Sequence, residues 1–509
     1  MGIKENIIKE NSYKDSVFLM EIARKLEKTE GVKSASLMMG TAANKEILFE
    51  SGLLTDKGKA ASENDLIIAI HADGREIFND ALQYIQDSFD NAGSGTDKES
   101  SLKPASFEAA LKTLDNPNFA LISVAGEYAA REAGRALEKG LNVMIFSDNV
   151  SLEDEIRLKR KSAQKDLLMM GPDCGTAIIG GVPLGFANRV PAGNIGIVAA
   201  SGSGLQEVTV VISKEGAGIT HALGTGGRDL SKEVGGVTMN AGLDVLKEDQ
   251  NTEVVVLLSK PPHPEVAEKL IAKAKNINKP VVICFLGSKN FKSEANIHFT
   301  STLEGAAIAA AQISRGEKVS LPEFTLDNID SMVDEDIKKI SSGEKYIRGL
   351  YAGGTLCDET IDIMKNMGIF PYSNTGVEEE NKLADSNKSR EHCLVDMGED
   401  EFTKGRPHPM IDLSLRNRRI EKEASDPETA VILFDLVLGY GANPDPAGEM
   451  EDTLNNIEGK KLLIASVCGT DSDPQNYSRQ ISKLTRCGVR VLPTNAQAAR
   501  YACKIIKDI

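Results

Sequence analysis

Short, unbroken apolar runs alternate with stretches of helical period along nearly the whole chain, and this alternation limits the fold more than any other feature. Ser34–Met39, Leu66–Ile70, Phe119–Val124, Asn142–Phe146 and Leu167–Met170 read as strands. Between them, Ala43–Leu54, Arg75–Phe89, Gly126–Lys139 and Leu152–Ala163 read as helices, with Ile77, Ala81, Ile85 and Phe89 on one face of the second. Strands follow at Ile195–Ala200, Gly218–Leu223, Val254–Ser259 and Val281–Leu286, with a helix through Leu246 and another from Pro264 to Ala274. The last block carries Ile347–Tyr351, Cys393–Asp396, Ala430–Leu436, Leu462–Val467 and Val489–Leu492, with helices from Asp358 and from Pro474. Strands buried on both faces are apolar throughout, and helical crossovers supply the cover. The pattern predicts an α/β chain of three doubly wound modules. Residues 91–105 are small and polar and read as a flexible surface loop. Residues 315–344 are charged and read as a linker with a short helix.

Charge and composition exclude several classes of function. A formal net charge of -16 repels nucleic acid and anionic membranes, but it leaves room for small anions held by local cations and backbone amides. The seven cysteines include no C-x-x-C pair, so neither a disulfide framework nor structural zinc is expected, and Cys174 reads as a small buried residue. The six histidines have no i, i+4 pairing, and no metal set stands out. There is no G-x-S-x-G nucleophile elbow. The chain opens without an apolar signal-type segment and has no long apolar run, so a cytoplasmic location is expected.

Candidate chemistry gathers at predicted strand ends, where open α/β sheets bind ligands. Ser201-Gly202-Ser203-Gly204 stands between a strand and a helix, where unpaired N–H groups and the helix dipole favour an anion. Gly226 and Gly227 shape a second turn with Arg228, a bidentate clamp for phosphate or carboxylate. A tight connection with a solvent-facing arginine accounts for that turn equally well. Asp229 reads as a helix cap, and His221 as a core residue. Lys260 ends a strand; it suits a bound anion, or is a solvated lysine. The cluster Lys404-Gly405-Arg406-Pro407-His408-Pro409 is basic in an acidic chain. There Lys404 and Arg406 would hold an anion, Arg406 and His408 would polarise a carbonyl, and His408 would shuttle a proton. The alternative is a rigid surface loop paired with Glu399, Asp400 and Glu401. Arg416, Arg418 and Arg419 read as solvent-facing on a helix. His71 and His392 read as structural, and His263, flanked by prolines, as a weaker site candidate. A late turn near Gly439 repeats the strand–glycine pattern.

From Met169 onward the chain resembles the succinyl-CoA synthetase superfamily. Gly171-Pro172-Asp173-Cys174-Gly175 is similar to the turn closing that family's CoA-binding domain. Asn194–Val198 followed by Ser201–Gly204 is similar to the start of its first ligase domain, and the last block resembles the second. The resemblance implies a CoA-binding-like Rossmann module (1–190), a flavodoxin-like ligase-type domain (191–325), a linker (326–344) and a second ligase-type domain (345–509). It places Gly439-Tyr440-Gly441 at the second phosphate-directed helix.

A closer resemblance is to the FdrA family, carried by Met38-Met39-Gly40-Thr41 with Ala43-Asn44-Lys45, by Gly171–Ala177 and by Ser259-Lys260-Pro261-Pro262. It implies carbamoyl transfer between oxalurate or oxamate and phosphate, with carbamoyl phosphate, in allantoin breakdown. The chain departs from the synthetase pattern at three points. The region after Gly287 lacks a Gly-His-Ala-Gly core, and His298 reads as a strand residue. Lys260 replaces a glutamate, and no ATP-grasp domain is present. CoA is the one candidate cofactor, and the missing opening dinucleotide fingerprint counts against it. The expected partners are a small anionic substrate and other protein subunits or copies of the chain. The competing expectations are an ADP-forming acyl-CoA ligase subunit with a separate ATP-grasp partner, and a non-catalytic scaffold subunit.

Overall fold

A computed structural model describes residues 2–509 except 13, 15, 28, 94–103, 105, 289–291, 404–406 and 458. The chain divides into two units. One comprises Met1–Asp115 with Thr403–Pro407, the other Asn116–Phe402 with His408–Ile509.

In the first unit, strands β1 (Ile3–Lys9), β2 (Val32–Met39) and β3 (Leu66–Ala72) form an antiparallel sheet in the order β1-β3-β2. Ile68 of the central strand pairs with Ile7 on one side and Leu37 on the other. Helices Ser16–Glu27 and Arg75–Gly93 accompany the sheet, and Leu19, Ile22, Phe78 and Ile85 pack against its Leu66, Ile68 and Ile70. The doubly wound module expected over residues 1–190 therefore does not extend to this end of the chain. The reason is visible in β3: as a central strand it is buried on both faces and reads as an apolar run, just as a parallel strand would. Its partner β1 carries Lys4, Glu5 and Lys9 and does not read as a strand at all. The expected loop at 91–105 lies largely outside the described residues.

The second unit holds three sheets. β4 (Phe119–Ile122), β5 (Asn142–Ile145) and β6 (Met169–Met170) are parallel. Next come β7 (Thr176–Ile179), β8 (Val182–Gly185), β9 (Ala192–Ala200), β10 (Ile219–Gly224), β11 (Val254–Ser259), β12 (Val281–Phe285) and β13 (Ile297–Phe299). They form one sheet in the order β13-β12-β11-β9-β10-β7-β8, parallel from β13 to β10, with the β7–β8 hairpin antiparallel on β10. The hairpin, assigned to the 1–190 module from sequence, is thus hydrogen-bonded into the following sheet.

The final sheet is parallel and is built from β14 (Tyr346–Tyr351), β15 (Tyr372–Ser373), β16 (Cys393–Asp396), β17 (Thr429–Val437), β18 (Leu462–Cys468) and β19 (Arg490–Leu492), in the order β15-β16-β14-β17-β18-β19. Every residue of β11, β12, β17 and β18 is buried. Each Val, Leu or Ile so covered contributes on the order of 2 kcal/mol.

Four helices position the site: α1 (Gly202–Lys214), α2 (Leu303–Ser314), α3 (Gly354–Asn366) and α4 (Asn495–Asp508). The charged stretch 315–344 carries one helix, Ile329–Ile337. His298 lies in β13, paired with Val282, as the sequence suggests.

Candidate functional site

Two helix N-termini meet at the C-terminal ends of the strands. Ser201 caps α1 in extended backbone (φ -165), and its Oγ accepts from Gly204 N at 2.9 Å. Gly353 precedes α3 in the same way. The two ends contact each other directly: Ser201 Oγ and Thr355 Oγ1 are 2.7 Å apart, and Thr355 N donates to Ser203 Oγ at 3.3 Å. A side chain on Gly353 would place its Cβ 3.0 Å from that of Ser203, so glycine permits the approach. The first-turn N–H groups of both helices lack intrahelical acceptors, and their dipoles bring partial positive charge to one place.

The turn before α3 is held from below. Ala352 N and Gly353 N donate to the two carboxylate oxygens of Asp435, at 2.8 and 2.7 Å. Arg416 donates to Asp435 Oδ1 at 2.9 Å and to its carbonyl oxygen at 2.7 Å. Arg416 and Arg419 are buried, which corrects their reading as solvent-facing; only Arg418 is exposed. Arg419 is fixed by Glu423 and Ser386.

Lys260 follows β11 and reaches the same place. Its ammonium lies 2.7 Å from Asp358 Oδ2 on α3, with 39% of the side chain still exposed. Burial works against its charge, but Asp358, Asp396 and Glu399 outweigh it and hold the ammonium well above the ordinary lysine range. A Cβ on Gly354 would stand 2.3 Å from Asp396 Oδ2 and 3.6 Å from Lys260 Nζ, so these groups lie against the opening turn of α3. Burial pushes Asp396 up to about 7 despite Lys260 and the bond from Gly398 N to Oδ1 at 2.8 Å.

His408 shares this space, since a Cβ on Gly398 would sit 2.9 Å from His408 Nε2 and 3.1 Å from Asp396 Oδ1. Burial, then Arg416, lowers His408 to about 4, and Met410 N donates to its Nδ1 at 3.2 Å. The ring is therefore neutral at pH 7 with its proton on Nε2, a donor suited to a carbonyl or anion. Phe186 packs beside it, with ring centroids 6.1 Å apart. The cluster can seat an anion and supplies a carboxyl near neutrality for proton transfer.

The remaining site expectations fare differently. Lys404, Gly405 and Arg406 lie outside the described residues. Arg228 borders the cleft, as it and Lys260 both act on Asp173, which burial and Asp148 raise to about 6. Its guanidinium is already committed, with Nε 2.8 Å from Glu155 Oε2 and a donated bond to Val150 O. Gly226 (φ 85) is needed for close packing, because a Cβ would meet Pro172 O at 2.2 Å; Gly227 has open space. Asp229 caps the helix Val237–Glu248 through Thr238 N and Met239 N. His221 is half-buried at the β7 edge and accepts from Gly180 N rather than filling the core. Cys174 is buried, and burial pushes its thiol up to about 12, out of reactive range.

Gly439 and Gly441 do not begin a phosphate-directed helix. Gly439 N and O are both bonded to Gln475, a Cβ there would meet Ala187 O at 2.7 Å, and the next helix starts only at Pro446. This turn joins the two sheets. The helix that does face α1 opens at Gly353-Gly354-Thr355. Its signal was present in the sequence, as a strand followed by two glycines.

Two helix N-termini meeting at the strand ends of two largely parallel α/β sheets give the chain a succinyl-CoA-synthetase-like architecture. Family models match accordingly: a CoA binding domain over residues 191–287 and a CoA-ligase domain over 350–505, with an "AllF, heavy metal-associated domain" over 1–104. The chain belongs to the family of the uncharacterized protein YahF of Escherichia coli (strain K12), to which it is 41% identical over 510 residues, covering 98% of each. It is 26% identical over 199 residues to the succinate–CoA ligase [ADP-forming] subunit alpha 1 of Archaeoglobus fulgidus, covering 38% of this chain and 65% of that one. It is 27% identical over 186 residues to the ADP-forming sulfoacetate-CoA ligase subunit SauD of Bilophila wadsworthia (34% and 61%). Among solved structures, the dinucleotide-forming acetyl-coenzyme A synthetase 1 of Ca. Korarchaeum cryptofilum aligns with TM-score 0.29 and 15% identity over 77% of this chain and 83% of that one.

The N-terminal residues do not fit a heavy metal. Residues 1–115 contain no cysteine and one histidine, His71. Met38 and Met39 pack on opposite faces of the sheet. Among the described residues, no group of three or more His, Cys, Asp or Glu could hold a metal. Among them, too, no helix is long and apolar enough to cross a membrane.

Proposed function

We propose that this chain is an FdrA-type subunit of an enzyme that moves a carbamoyl group between oxalurate or oxamate and phosphate in allantoin breakdown. The observation that carries the reading is the convergence of two helix N-termini beside Lys260, Asp396 and His408, on a chain whose loop after Gly287 has no histidine to carry phosphate. Without such a relay, both substrates must meet directly. The amides of α1 and α3 and the Lys260 ammonium hold phosphate, His408 Nε2–H polarises the carbamoyl carbonyl, and Asp396 exchanges a proton with the attacking or leaving nitrogen. Catalysis is then positioning plus electrostatic stabilisation. The AllF-type N-terminal match supports the allantoin setting.

The test is to incubate the purified protein, alone and with the products of neighbouring genes, with carbamoyl phosphate and oxamate. Oxamate-dependent phosphate release is expected, and its absence from every combination would overturn the reading. A second reading, an ADP-forming acyl-CoA ligase subunit completed by an ATP-grasp partner, is favoured by the similarity to ligase subunits. ATP, CoA and succinate form the parallel arm, and histidine phosphorylation during turnover would select that reading.

A further inference from the structure

One turn behind the paired N-termini, both site helices are tied to a single residue, one through its backbone and the other through its side chain. Asn495 opens α4, a helix with no sequence signal of function. Its backbone N donates to Glu207 Oε1 on α1 at 3.1 Å. Its Nδ2 donates to Glu359 Oε2 at 2.7 Å and to Leu356 O at 2.9 Å, both on α3. Glu359 Oε1 in turn accepts from Leu303 N, the first residue of α2, at 2.7 Å. Thr494 donates to Glu304 on α2 at 2.9 Å. All these groups are buried. Burial pushes Glu359 up to about 8 and raises Glu207 as well. At neutral pH Glu359 therefore carries little negative charge to cancel the helix dipole it sits behind.

We infer that Asn495 is a positioning residue for the anion site: it fixes the separation and tilt of α1 and α3, so that their N–H groups converge on one ligand. An anion bound by two helix ends needs both at hydrogen-bond distance simultaneously. The contacts at the mouth are two hydrogen bonds, Ser201 Oγ with Thr355 Oγ1 and Thr355 N to Ser203 Oγ. Asn495 is the residue seen to bond both helices from behind. The inference rests on the anion-site reading above, and the two fail separately in the following experiment.

Wild type, Asn495→Ala, Glu359→Gln and Tyr501→Phe are prepared as full-length protein. Tyr501→Phe deletes a buried bond of the same helix, 2.7 Å to Asp336, that touches neither α1 nor α3. Hydrogen exchange is followed at the amides of 205–209 and 356–360. Inorganic phosphate binding is followed by calorimetry and by the 31P shift of the bound ion. Asn495→Ala keeps the backbone bond to Glu207 and removes the ties to α3, so the 356–360 segment exchanges faster, phosphate binds about tenfold more weakly and the 31P shift moves. Glu359→Gln gives the same changes to a lesser degree and serves if Asn495→Ala does not fold. Tyr501→Phe lowers the melting temperature but leaves all three readouts at wild-type values. Unchanged exchange in α3, or equal phosphate loss in Tyr501→Phe at matched melting temperature, would overturn the inference. If wild type binds no phosphate, the anion-site reading falls, and the exchange data alone decide whether Asn495 holds the two helices.

Discussion

Lys260 shows how much the neighbours of a charged residue decide. From the sequence it is a strand-end cation. In the structure it is neutralised in part by Asp358 and crowded by Asp396, so an arriving anion must share it with carboxylates. Lys260→Met is expected to weaken carbamoyl phosphate or phosphate binding at least tenfold, read by calorimetry, while the fold persists. Asp396 gives a prediction with a definite sign. Its folded value of about 7 lies above the ordinary 3.8, so between those values the native state binds more protons than the unfolded chain. Stability from this group therefore falls as pH rises from about 4 to about 7 and is flat beyond. Asp396→Asn removes that loss. Relative to wild type it gains nothing near pH 4 and about 4 kcal/mol by pH 8, measured by urea unfolding at several pH values. Arg416→Met strands Asp435, a buried carboxylate, and should cost about 3–5 kcal/mol.

At the scale of elements, α3 carries the site. Alanine normally favours a helix over glycine by about 1 kcal/mol. At Gly354 the added Cβ would lie 2.3 Å from Asp396 Oδ2, and the carboxylate that must yield is buried and held by Gly398 N. Gly354→Ala is therefore expected to destabilise by about 1–3 kcal/mol, by urea unfolding, and to weaken phosphate binding. The Ser201 turn was legible because Ile195–Ala200 runs straight into Ser-Gly-Ser-Gly. The equivalent Gly353-Gly354-Thr355 turn is hidden because apolar periodicity places the helix start at Asp358, a full turn late. Gly439 misled for the opposite reason. Its positive φ serves a close approach to Ala187, and sequence alone does not distinguish a glycine that clears a ligand from one that clears another backbone. Arg416 and Arg419 misled likewise, since their buried partners Asp435 and Glu423 are identifiable only once the sheet is folded.

For the whole molecule, the parallel sheets of the second unit were readable as apolar runs, and the boundaries between sheets were not. The β7–β8 hairpin lacks the strand–helix alternation that marks a module, whereas the N-terminal unit shows that alternation and still pairs its strands antiparallel. A heavy-metal-type fold without thiolates should not carry a soft metal. Titration of the full chain with Zn²⁺ or Cu⁺ is expected to show no tight site and no effect on melting temperature, whereas a stoichiometric site lost in His71→Ala would show otherwise. The central claim is that α1, α3 and Lys260 form one anion site. It is tested most directly by titrating carbamoyl phosphate into wild type, Lys260→Met and Gly354→Ala by calorimetry. The account predicts one site per chain in wild type, weakened at least tenfold in both variants. Equal affinity in all three proteins would contradict it.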